Sequence, residues 1–106
     1  MQREIDYQKL GQKIKQIRQS KGYTQDILAE MVDCNISHIS NIENNHTKVS
    51  LNALLSIANA LDTSIDYLLS NQYDNPSLAL DNEILRLLKS CDTAKKEKLI
   101  KIIEIL

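Results

Sequence analysis

Only three of the 106 residues are Gly or Pro: Gly11, Gly22 and Pro76. Tight β-turns draw on Gly for positive φ and on Pro for fixed φ. Their scarcity withholds the punctuation a sheet needs and favours helices joined by short turns. The punctuation that remains comes from Ser, Thr, Asn and Asp, which cap helix N-termini. The chain is long enough for one domain with a small appendage. Its apolar runs are too short to span a bilayer. The N-terminal MQREIDYQ is charged and lacks an apolar core, so no signal peptide is expected there. The two cysteines, Cys34 and Cys91, make neither a metal spacing nor a disulfide framework. A cytoplasmic location is the expectation, with no cofactor and no membrane partner.

The net charge of −1 does not by itself point to nucleic acid. Its distribution is uneven. Residues 8–22 carry Lys9, Lys13, Lys15, Arg18 and Lys21 with no acid, whereas the chain after residue 50 is net acidic. Such a split permits anion binding without requiring it.

Tyr7, Leu10, Ile14 and Ile17 fall on one stripe of a first helix, which Gly22 can stop in the left-handed region. Thr24 is placed to cap a second helix with an inner face of Leu28, Ala29 and Val32, joined in places by Met31. Asn35 is placed to cap a third, running over 36–44, with Ile39 and Ile42 inward. So short a connection forces a steep crossing, the helix-turn-helix arrangement. Asn44-Asn45 suit a positive-φ ending. Ser50 caps a fourth helix whose core face reads as Leu51, Leu54, Leu55, Ala58 and Leu61. Asp62-Thr63 is a turn, and Ser64 caps a short fifth helix from Ile65 to Leu69. The polar SNQYDNPS reads as a linker. A helical hairpin then runs from Leu80 to Ser90 and from Asp92 or Thr93 to Leu106.

The stretch CNISHISNIENN, residues 34–45, contains no Lys or Arg. Ile39 and Ile42 keep helical time, and most other side chains are small, amide or hydroxyl. That is a face poorly adapted to bulk water and well supplied with donors and acceptors.

The order LGQKIKQIRQSKGYTQDILAEMVDCNISHISNIENN followed by SLNALLSIANALDTSIDYLL, about residues 7–69, resembles the Cro/repressor-type helix-turn-helix family, the xenobiotic-response-element regulators of bacteria and phages. The resemblance rests on Leu10-Gly11, Ile14, Arg18, Thr24-Gln25, Leu28-Ala29-Glu30, Ile39-Ser40, Ile42-Glu43 and the Leu54 to Leu61 run. Three glycine positions of the family hold Asp33, Asn45 and Asp62, the non-glycine residues that best tolerate a left-handed backbone. Val49 stands where Pro is usual. Ile27 stands where an acid is usual, which removes a capping box.

The resemblance implies a five-helix repressor-like DNA-binding domain over 1–70, and the residues beyond it complete an all-α chain with a linker over 71–79 and a C-terminal α-hairpin over 80–106. It implies a sequence-specific transcriptional regulator, a repressor, that reads the major groove of a double-stranded, (pseudo)palindromic operator with helix 36–44. Base contacts fall to Ile36, Ser37 and Asn41, with Asn41 suited to a bidentate contact with adenine. Phosphate or edge contacts fall to Thr24, Gln25, His38, Ser40, Asn44, Lys48 and Ser50, helped by helix N-termini. Arg18 and Glu43 are implied to be a partly buried ion pair tying the first helix to the third. Cys34 falls at a core position as a small hydrophobe.

Leu80, Ile84, Leu87, Leu88 and Cys91 make one stripe of the hairpin. Leu99, Ile102, Ile103 and Leu106 make another. Two short helices cannot bury so many apolar sides alone. A homodimer held through Leu88, Leu99, Ile102, Ile103 and Leu106 is the favoured cover. A protein antagonist or toxin, and packing back onto the fourth and fifth helices, stand as alternatives. No Ser/His/Asp order, metal-spaced cluster or phosphate loop suggests an enzyme.

Overall fold

A computed structural model describes residues 4–106. Among them every regular element is helical: α1 Tyr7–Ser20, α2 Gln25–Met31, α3 Ile36–Glu43, α4 Leu51–Ala60, α5 Ile65–Leu68, a 3-10 turn Ser70–Gln72, α6 Ser77–Leu88 and α7 Thr93–Ile105.

The capping chemistry repeats. Asp6, Thr24, Asn35, Ser50, Ser64 and Asp92 each accept, through the side chain, the backbone N–H three residues on. The stops repeat as well. Gly22, Asp33, Asn45 and Asp62 have φ of 76°, 55°, 61° and 53°. The residue after each donates its N–H five residues back, Tyr23 to Arg18, Cys34 to Ala29, His46 to Asn41 and Thr63 to Ala58, over 2.8–3.1 Å. In Gly22-Tyr23-Thr24, Asp33-Cys34-Asn35 and Asp62-Thr63-Ser64 the next residue is already the following N-cap. One three-residue connector, used three times, turns the chain sharply without a proline.

The core comprises Leu10 and Ile14 from α1, Leu28 and Ala29 from α2, Ile39 and Ile42 from α3, then Val49, Leu54, Ile57, Ala58, Leu61 and Leu68. Gly11 lets α1 approach α3 closely. A Cβ there would collide with the Ile42 carbonyl oxygen and lie 3.0 Å from that of Glu43.

Several expectations need correction. Helix α3 ends at Glu43, with Asn44 as its C-cap and only Asn45 left-handed. Leu51 and Leu55 are exposed rather than core, and Ile57 is buried instead. At 100° per residue Leu54, Ile57, Ala58 and Leu61 form one face, from which Leu55 is turned well away. Met31 is likewise exposed, and Cys34 is only partly buried. Helix α5 ends at Leu68.

The stretch expected as a linker is structured. Its first residues finish the 3-10 turn, and α6 begins at Ser77, not Leu80. Helix α6 buries Ala79 and Glu83 against the body, while Leu80, Ile84 and Leu85 face outward and Leu87 borders a hollow shared with Ile17, Leu61 and Tyr67. Helix α7 buries nothing. The radius of gyration, 15.5 Å, exceeds the roughly 13 Å of a compact chain this long, as a protruding arm requires. Helix α6 does pack against α5, but through Ala79 and Glu83, and most of the hairpin's apolar stripes stay exposed.

Candidate nucleic-acid interface

Helix α3 is anchored by a polar network. Arg18 Nε lies 2.7 Å from Glu43 Oε2 and its second terminal nitrogen 3.0 Å from Oε1, while the first donates to the Tyr23 carbonyl at 2.7 Å. Gln25 Nε2 donates to the same Glu43 Oε1 at 3.0 Å. The Arg18 and Glu43 side chains are 7% and 0% exposed, so the pair is fully rather than partly buried. Every carboxylate oxygen and every arm of the guanidinium has a partner, the condition under which a buried pair is tolerated. One cluster thus fixes α1, α2 and α3 together.

With Ile39, Ile42 and Glu43 turned inward, helical geometry sends Ser37, Asn41 and Asn44 to the opposite side. Ser40 lies beside them. Ile36 and His38 flank this face on its two edges. The Asn41 side chain has no hydrogen-bond partner among the described residues. The His46 and Thr47 N–H groups donate to the Asn41 backbone carbonyl, not to the side-chain amide. Ser37 Oγ donates to the Asn35 side chain at 2.8 Å, and Asn44 Nδ2 donates to Ser40 Oγ at 3.2 Å. Ser37 and Ser40 are therefore oriented, with lone pairs left over.

The other expected residues are placed as follows. Thr24 and Ser50 hydroxyl oxygens accept from Ile27 and Ala53 N–H. Each keeps an outward O–H to donate. Gln25 keeps one amide hydrogen beyond its bond to Glu43. Lys48 is exposed, with Nζ 5.5 Å from the Tyr7 ring centroid. His38 is half-buried over a groove of about 180 Å³ that it shares with Val32, Cys34, Asn52, Ala53 and Ser56. It stands on the edge of α3 that turns toward α4.

The sequence does not single out Gln12, and it marks Lys15 only as one of the basic run on the first helix. Gln12 and Lys15 line a hollow with Gln8 and Asn44, at the C-terminal end of α3. Gln8, Gln12 and Lys15 stand at i, i+4 and i+7, a polar stripe opposite Leu10, Ile14 and Ile17 that could have revealed them. The remaining basic residues contribute less, since Arg18 is committed to Glu43 and Lys13 sits 4.3 Å over the Tyr67 ring.

Burial, and secondarily the Asp33 carboxylate, push the Cys34 thiol above its ordinary value, which keeps it protonated and unreactive at neutral pH. Tyr73 is shifted upward too, first by its hydrogen bond to Asp66 at 2.6 Å, then by burial and the charge of Asp66. Among the described residues no cluster of His, Cys, Asp and Glu could hold a metal ion, and no helix is long and apolar enough to cross a membrane.

The family model described as helix-turn-helix matches residues 14–68, more than half of the chain. The chain belongs to the helix-turn-helix family. Among curated relatives, the transcriptional regulator SinR of Bacillus subtilis is 34% identical over 91 residues, covering 84% of this chain and 82% of SinR. The regulator ImmR of the same species is 32% identical over 90 residues, covering 79% of this chain and 71% of ImmR. Among solved structures, SinR in complex with DNA, described as the master regulator for biofilm formation, superposes with a TM-score of 0.54 at 39% identity. That match covers 57% of this chain and 97% of the other. The helix-turn-helix unit is thus shared with a protein seen on DNA, and the two long alignments extend into the C-terminal hairpin.

Proposed function

We propose that this chain is a sequence-specific, double-stranded-DNA-binding repressor of transcription that lays α3 in the major groove and binds as a homodimer through α6 and α7. The observation that carries the reading is the outer face of α3. There the Asn41 amide points away from the core with both its donor and its acceptor uncommitted, beside the oriented hydroxyls of Ser37 and Ser40. An amide in that state matches the paired acceptor and donor of adenine in the major groove. Ile36 at the edge of the face suits a thymine methyl. Thr24, Gln25, Ser50 and Asn44 offer donors to the sugar–phosphate backbone without adding charge, and Lys15 and Lys48 add cations at the margins. His38 contributes at the edge.

The dimer follows from α7, whose Ile102, Ile103 and Leu106 lie open to solvent. A second copy would cover them and place two copies of α3 on a two-fold operator, about 34 Å apart. The same exposure favours a second use, in which a protein antagonist or toxin seated on α7 controls the dimer.

The test is selection of bound fragments from random duplexes, with wild type and with Asn41→Ala. Wild type should enrich a two-fold sequence. The variant should fold normally and lose about 1–3 kcal/mol of discrimination at one base pair of each half-site. Enrichment of nothing by wild type, at low ionic strength, overturns the reading.

A further inference from the structure

The contact between the arm and the body is made largely by directional polar groups. Of the twelve residues of α6, those buried are Ala79 and Glu83, not the leucines. Glu83 Oε2 accepts from Thr63 Oγ1 at 3.1 Å, in the connector between α4 and α5. The Arg86 guanidinium reaches Asp62 Oδ1 at 3.2–3.3 Å with its two terminal nitrogens, and its buried Nε lies 3.5 Å from Glu83 Oε1. Asp62 is the left-handed residue that ends α4. Before α6 the chain is tied a second time. The Gln72 amide clamps the Asp6 peptide, accepting from its N–H at 2.7 Å and donating to its carbonyl at 3.0 Å. Asp6 is itself the cap of α1.

Such contacts are poor sources of stability. Asp62 is largely exposed, and exposed ion pairs contribute little. They are directional, however, and their angular demands are what an apolar contact lacks. Two separate attachments, one to the start of α1 and one to the connector after α4, define an orientation. Helix α1 and that connector belong to the body that holds α3.

We propose that Gln72, Glu83 and Arg86 are specificity-determining residues that act by position: they hold the hairpin at a fixed angle to α3 and thereby set the half-site spacing a dimer accepts. The inference rests on the dimeric DNA-binding reading above. Two rigidly held copies of α3 can enter the grooves only at one separation and one helical phase. With the attachments cut, the hairpins still join but the reading units swing. Several spacings then become nearly equal.

The experiment uses the full chain and duplexes carrying two copies of the selected half-site, the spacer stepped one base pair at a time through a helical turn. Wild type should favour one spacer over its neighbours by about tenfold, because bending or twisting the DNA to fit is costly. Gln72→Ala/Arg86→Ala should reduce that preference to within about threefold. Dimer mass and affinity for an isolated half-site should stay as in wild type, which a merely structural role would not allow. A double variant that keeps the wild-type preference overturns the inference and leaves the DNA-binding reading intact. So does a wild type with no spacing preference. Failure of wild type to select any duplex overturns both. Should the double variant unfold, Gln72→Ala alone is scored against the same outcomes, since this half-buried side chain leaves the core untouched.

Discussion

Replacing Arg18 by Met should be one of the most damaging single changes in the molecule, and pairing it with Glu43→Leu should repair much of the loss. In the native site the Glu43 carboxylate takes two bonds from Arg18 and one from Gln25, with no exposed side-chain surface. After Arg18→Met only the Gln25 amide remains. A charge left in that state costs about 3–5 kcal/mol. A domain of this length has about 5–15 kcal/mol to lose. At about 4–8 °C per kcal/mol the melting temperature should fall by at least about 12 °C. In the double variant both ions are gone, and their desolvation with them. What remains is a Tyr23 carbonyl and a Gln25 amide each short of one partner, about 1–3 kcal/mol per group, and the carbonyl is stranded in the single variant too. Urea unfolding followed by far-ultraviolet circular dichroism measures each arm, at one protein concentration because association shifts apparent stability. The reasoning fails if Arg18→Met costs less than about 1 kcal/mol, as a surface pair would. It fails equally if the double variant is no more stable than the single.

Gly11→Ala should destabilise by about 1–3 kcal/mol in the same assay, although alanine is the better helix former, because the added methyl meets the Ile42 carbonyl rather than a side chain that can move. An unchanged or raised midpoint would contradict the close approach of α1 and α3. Ile103→Glu alters a side chain 64% exposed in the single chain, so it should leave monomer stability alone and turn a two-chain mass into a one-chain mass in light scattering. A persisting dimer places the interface elsewhere. Titrating operator affinity against salt should give a slope of about −4 on logarithmic axes, since Lys15 and Lys48 supply only two marginal cations per copy. A slope near −10 would mean that the basic face of α1 is used after all.

Much of the fold is legible because it is built from local chemistry. Thr24, Asn35, Ser50 and Ser64 announce helix starts by type, and Asp33, Asn45 and Asp62 announce the stops, each needing only a residue that accepts positive φ. The Arg18–Glu43 pair spans 25 positions. No local pattern links the two residues, and only the family resemblance joined them. Leu51 and Leu55 misled because hydrophobic identity does not reveal which way a leucine faces when α4 is apolar on more than one side. The linker misled for the opposite reason. SNQYDNPS is polar, and polar composition reads as freedom, whereas Gln72 and Tyr73 commit their polar groups to Asp6 and Asp66. Glu83 was hidden in the same way: an acid on a leucine-rich helix reads as its wet side, yet it is the side that docks.

The same few residue types therefore carry both the fold and the proposed contacts. An N-cap hydroxyl such as Thr24 or Ser50 accepts from its helix and still has a hydrogen to give. An Asp at either place would cap as well and would repel a phosphate. Asn35 caps α3 and, through the same oxygen, orients Ser37 on the outer face. Arg18 is consumed in holding α3 in place. A protein arranged in this manner draws little on the sequence-independent attraction of the phosphates. On the proposed reading its grip on DNA comes from fit, at the base edges under Asn41 and in the separation of the two copies of α3. That is why the angle of the arm matters as much to the proposed function as the residues that face the groove.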